Sequence, residues 1–202
     1  MKELQAVSVS RSLIARLYGP PRHGRGLGHG LVEIDGYVIA FTRPGSPRLP
    51  DGIEVAYEPR HGDRVVVGRG HVAAPGVRIL PGPVWDPVPR VTVHPRPRRD
   101  VAVDPLRLAG HGDGLTPAGD DLLLGYVAGL VLFRRSYDLA HHVAEVAARR
   151  TTALSATLLR HAARGEVPEP VHTLLEHGDA GPLARWGRSS GRHVLHGLAL
   201  AA

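Results

Sequence analysis

Gly114-Leu115-Thr116-Pro117-Ala118-Gly119-Asp120-Asp121 runs directly into Leu122 to Phe133, the longest nearly apolar stretch of the chain. A glycine-bearing turn, a threonine, a proline and then acidic residues before an apolar run make up the signature of a helix start. The reading predicts a helix from about Pro117 to Arg135, with Thr116 as its N-cap and Arg134 and Arg135 at the negative end of its dipole. Leu122 to Phe133 is about half the length that crosses a bilayer, so it reads as a core helix and no membrane is expected as a partner.

Downstream the period remains helical. Asp138 to Arg150 makes a second helix, and Thr151 or Thr152 restarts the chain into a third that Gly165 ends. Pro168-Glu169-Pro170 opens a short helix ending near Gly178, and a last one follows Ser189-Ser190-Gly191. Upstream, short β-type runs are broken by Gly and Pro: Gly30 to Phe41, Gly52 to Tyr57, Arg64 to Val67 and Val77 to Leu80. Asp35-Gly36 fits a tight hairpin turn. His23 and His29 lie in a glycine-rich segment that reads as a mobile loop. The proline-rich stretch from Pro81 to Arg99 reads as an irregular connection. The expected fold class is α+β, with a β-rich domain over 1–100, a small barrel or sandwich, and a helical domain over 101–202.

Composition narrows the function classes. With 43% hydrophobic and 22% charged residues the chain falls in the ordinary globular range. It has no cysteine, which excludes disulfides and thiolate metal sites, and its first residues lack the apolar run of a signal peptide, so a cytoplasmic location is expected. The formal charge is +6, yet arginines are scattered and aromatics make up only 4%, so no nucleic-acid partner is expected. Adjacent His141 and His142 project to different helix faces and no His-Glu-x-x-His pattern occurs, so neither a metal nor another cofactor is expected.

Three segments place small hydroxyl residues or carboxylates at helix starts, where unpaired amides and a positive dipole end attract anions. In the first, Asp120 and Asp121 diverge by roughly a third of a turn, so at most one is expected to face the core. The second, Thr151-Thr152-Ala153-Leu154-Ser155, sets Thr152 and Ser155 one turn apart on one face. The third, Gly187-Arg188-Ser189-Ser190-Gly191, lacks a phosphate-loop lysine and a serine-hydrolase elbow, so its serines read as donors and not as nucleophiles. Gly125 and Gly129, four apart in the apolar helix, read as points of close backbone approach.

Taken together, Gly-Leu-Thr-Pro-Ala-Gly-Asp-Asp at 114–121, Thr-Thr-Ala-Leu-Ser-Ala-Thr-Leu-Leu-Arg at 151–160 and Gly-Arg-Ser-Ser-Gly at 187–191 resemble the family of the AllH subunit of oxamate carbamoyltransferase, best over residues 105–202. The resemblance implies a β-rich part followed by a helical part. It also implies a subunit that works with partner subunits, moving a carbamoyl group between oxalurate and phosphate in anaerobic allantoin breakdown, a purine-catabolic route. Where the family pattern has a histidine and an aspartate, this chain has Arg188 and His193. The expected site has Asp120 and Asp121 as catalytic carboxylates. Its substrate-binding groups are Thr116, Gly119, Thr151, Thr152, Ser155, Ser189, Ser190 and Gly191, around a small anionic substrate or phosphate. The alternative is a non-catalytic small-anion-binding or assembly module.

Overall fold

The computed structural model describes residues 1–93 and 103–202. Two compact units emerge, Met1–Pro87 and Val88–Ala202. The domain boundary expected near residue 100 lies outside the described residues.

The first unit is one curled, half-barrel sheet of ten strands: β1 (Lys2–Gln5), β2 (Ser8–Ser10), β3 (Arg22–Gly28), β4 (Leu31–Ile34), β5 (Tyr37–Thr42), β6 (Gly52–Glu54), β7 (Arg64–Gly68), β8 (His71–Ala74), β9 (Val77–Leu80) and β10 (Val84–Trp85). Their order is β1-β9-β8-β7-β3-β4-β5-β6-β2-β10. Only Ala6 and Val7 separate β1 from β2, and these two strands pair in parallel with β9 and β10 respectively. The same two stretches of chain therefore meet at both ends of the strand order, which is what curls the sheet. Alternate residues point inward, as in β7 and β8, and the interior is filled by Val9, Val32, Ile34, Ile39, Ile53 and Ile79. Leu13 and Leu17, from a 3-10 turn and the following α1 (Ile14–Tyr18), join that core.

The turn at Asp35-Gly36 forms as expected, with both residues at positive φ (52° and 76°) between β4 and β5. In the glycine-rich segment before it, His23 lies in a strand and not in a loop, while His29 sits in the tight turn from β3 to β4 at positive φ (53°). Arg22–Gly28 is a strand paired on both sides, with His23 opposite Val66 of β7. Its glycines are there for room: a Cβ on Gly24 would lie 2.2 Å from Ile34 Cγ1, and one on Gly26 2.0 Å from the Arg60 carbonyl oxygen. Low side-chain volume in that segment serves close packing rather than mobility.

The second unit is helical: α2 (Pro105–Leu108), α3 (Ala118–Leu132), α4 (Tyr137–Ala148), α5 (Ala153–Ala162), α6 (Glu169–His177), α7 (Gly181–Ala184) and α8 (Ser190–Leu200). α3 is buried nearly all round and is the axis on which α4, α5 and α8 pack. The close approach expected at its glycines is made by α8: Gly125 faces the Val194 carbonyl and Gly129 faces Ala201, while Gly197 of α8 faces the Leu122 carbonyl. α3 starts one residue later than the sequence suggests. Pro117 occupies the N-cap, its carbonyl accepting from the amides of Asp120 and Asp121, and this frees the Thr116 side chain for another contact. Thr152 caps α5 by accepting from the Ser155 amide at 3.1 Å, and Gly178 closes α6 in the left-handed conformation. Among the described residues no helix is long and apolar enough to cross a membrane.

Candidate functional site

Asp120 and Asp121 are each only 2% exposed, so both are buried where the sequence allows one. The divergence of adjacent helical residues is what permits it, because the start of α3 is covered on two sides. Asp120 turns towards α5: one carboxylate oxygen accepts from the Gly110 amide at 2.8 Å and the other from the Thr151 hydroxyl. Asp121 turns towards α8, accepting from the hydroxyls of Ser190 and Thr116. Thr152 completes the junction by donating from Oγ1 to the Leu115 carbonyl at 2.7 Å.

The three segments singled out in the sequence are thus brought together. Thr116, Asp120 and Asp121 of the first touch Thr151 of the second and Ser190 of the third. Gly119 and Gly191 serve the packing: a Cβ on Gly119 would sit 2.0 Å from the Leu108 carbonyl oxygen, and one on Gly191 would overlap the Leu183 carbonyl. Ser189 is the N-cap residue of α8, and its side chain makes no capping bond. Ser155 is buried one turn into α5, and its hydroxyl has no hydrogen-bond partner among the described residues.

Burial pushes the Asp121 carboxyl up to about 6; the Ser190 and Thr116 hydroxyls oppose the shift, and the charge of Asp120 adds to it. The two aspartates therefore differ in their surroundings. Asp120, with both oxygens occupied, is a structural tie between α3, α5 and the turn at Gly110. Asp121 is a carboxyl that changes protonation close to neutral pH, the property a proton-handling group needs.

The amides at these helix starts are less available than the sequence suggests. Gly119 donates to the His111 carbonyl at 2.9 Å, Asp120 and Asp121 donate to Pro117, and Gly191 donates to Trp186. Hydroxyls and one perturbed carboxyl, not a cradle of open amides, make up this junction. Among the described residues no group of three or more His, Cys, Asp or Glu is placed to hold a metal ion. The Gly110 amide was not singled out in the sequence, although the run Gly110-His111-Gly112-Asp113-Gly114 marks a turn that needs positive φ at all three glycines.

Replacing Asp120 by alanine is expected to destabilise the protein by about 3 kcal/mol, since a buried amide and hydroxyl lose a charged acceptor. Asp120→Asn should cost far less, because its oxygen still accepts from Gly110 and the Thr151 hydroxyl can reverse to accept. Urea midpoints of the two variants check this order.

By fold and site the chain is a β-sheet unit followed by a helical unit whose three helix starts meet on two buried carboxylates. Residues 108–202 match the family model described as oxamate carbamoyltransferase subunit AllH, so the resemblance read from the three motifs holds over the part of the chain that contains them. None of the curated proteins and none of the solved structures matches the chain.

Proposed function

We propose that the chain acts as an AllH-like subunit of a carbamoyltransferase-type complex, and that the junction of α3, α5 and α8 holds a small anionic ureido or carboxylate substrate. The observation that carries this reading is Asp121, a buried carboxyl raised to about 6 between hydroxyls from two of the three motifs.

In the reaction the resemblance implies, a phosphate oxygen attacks the ureido carbonyl carbon of oxalurate and the bond from that carbon to the oxamate nitrogen breaks. The nitrogen leaves with a proton, giving oxamate and carbamoyl phosphate. Asp121 suits the proton transfer, and while ionised it accepts from the substrate N–H groups. Thr116 and Ser190 hold that carboxyl in place, whereas Thr151, Thr152 and Asp120 fix the start of α5 beside it.

A thermal-shift screen with oxalurate, oxamate, phosphate and carbamoyl phosphate tests the reading. A ligand at 100 times its Kd stabilises the native state by about 2.7 kcal/mol, so a rise of several degrees is expected with oxalurate or oxamate. The replacement of two family positions by Arg188 and His193 favours the second reading, a non-catalytic binding or assembly module. Absence of a shift with all four compounds would select it.

A further inference from the structure

The carboxylates at the junction repel phosphate, which has no N–H groups to offer them, and the nearby helix-start amides already donate within the protein, so phosphate needs cations from elsewhere. Two arginines, Arg149 and Arg150, directly precede the junction's Thr151. A groove of about 540 Å³ between α2 and α4 is walled by Arg149, Arg150 and His142 over an apolar floor of Pro105, Leu106 and Val146. Arg149 and Arg150 are exposed, and neither pairs with a carboxylate among the described residues. Asp104, also on the rim, accepts from the Leu106 amide at 2.9 Å as the N-cap of α2.

The groove and the junction share backbone. Arg150 directly precedes Thr151, whose hydroxyl donates to Asp120. Gly110 lies against the Arg150 carbonyl, where a Cβ would come within 2.5 Å, and its amide donates to Asp120. We propose that the α2–α4 groove is an anion subsite, in which Arg149 and Arg150 hold inorganic phosphate beside the carboxylate junction. Two guanidinium groups outweigh the one carboxylate on the rim, and their planar donors suit phosphate oxygens. The division of labour is then complete: cations hold the anion, and Asp121 is left for the N–H groups of the other substrate. As a co-substrate site the groove rests on the proposed function; as a phosphate site it stands alone.

Calorimetric titration of the full chain with inorganic phosphate tests it, with oxamate as a second arm that presents a carboxylate in place of a phosphate. Saturable phosphate binding is expected, weakened at least tenfold in the doubly substituted Arg149→Ala/Arg150→Ala chain. Arg43→Ala, which removes a cation of the β-sheet unit, should leave Kd unchanged. Because the groove arginines are exposed, the double variant should keep its fold, which circular dichroism checks. The proposal is overturned by absence of saturable phosphate binding, by an unchanged Kd in the double variant, or by loss of oxamate binding alone. If arginine-dependent phosphate binding is found but the chain with its partner subunits does not phosphorolyse oxalurate, the functional reading fails and the subsite stands.

Discussion

Alanine at Gly125 is expected to cost the helical unit about 3 kcal/mol or more, and alanine at Gly197 about the same. Intrinsic helix propensity argues the opposite, since alanine is favoured over glycine by about 1 kcal/mol in a helix interior. Contact geometry decides the sign. A Cβ on Gly125 would lie 2.0 Å from the Val194 carbonyl oxygen and 2.9 Å from the Leu198 amide nitrogen. One on Gly197 would lie 2.0 Å from the Leu122 carbonyl oxygen and 2.7 Å from the Tyr126 amide nitrogen. These neighbours are backbone atoms of a packed helix, so no side chain can turn aside. α3 and α8 would have to separate along their whole contact, forfeiting dispersion contacts on both faces. The loss is a large part of the 5–15 kcal/mol that typically holds a domain together. Since α8 carries Ser190, the same substitution should weaken ligand binding at the junction. Chemical denaturation of Gly125→Ala and Gly197→Ala measures the effect; a stability equal to that of the unsubstituted chain would sink the packing argument. Gly36→Ala is the contrast: its Cβ meets nothing within 4 Å, so only the positive φ is penalised, at about 1 kcal/mol.

How much of this was legible in the sequence depends on how local the cause is. The existence of α3, though not the residue at its N-cap, the positive-φ turn at Asp35-Gly36 and the closing glycines at 165 and 178 are decided by neighbours in the chain, and they were readable. Arg22–Gly28 was not. Its strand character comes from pairing with β4 and β7 and from the room its glycines leave for Ile34 and Arg60, none of which a local window contains. The short β1 and β2 escaped notice for the same reason, being too brief to show alternation before their partners β9 and β10 are known. At the site, the three motifs were visible as helix starts of one kind, but their division of labour was not. Adjacent aspartates look equivalent in a sequence. Only the packing shows that Asp120 is spent on Gly110 and Thr151 while Asp121 keeps a perturbed carboxyl. Nor does a sequence show that the amides of Gly119 and Gly191 are already committed to His111 and Trp186.

Asp121→Asn is expected to move stability and activity in opposite directions. The carboxyl titrates at about 6 in the folded protein against 3.8 in a model peptide, so the folded state binds its proton more tightly than the unfolded state does. The stability this proton contributes is fully present below about pH 4 and is lost as pH rises through about 6, after which the curve is level. A shift of about two pKa units corresponds to about 3 kcal/mol, the burden of keeping this buried group ionised at neutral pH. Asparagine removes that burden and, with its oxygen and amide, can still engage the hydroxyls of Thr116 and Ser190. The variant should therefore be more stable than the unsubstituted chain at pH 7.5, and its stability should lack the fall between pH 4 and 6. Rearrangement of the two hydroxyls will absorb part of the gain, leaving about 1–2 kcal/mol. Activity should go the other way, because an amide neither takes up nor releases a proton: phosphorolysis of labelled oxalurate with the partner subunits should fall by about 100-fold or more. If Asp121→Asn leaves the rate of transfer unchanged, the proton-handling role is wrong; if it also lowers stability at every pH, Asp121 is a structural tie like its neighbour.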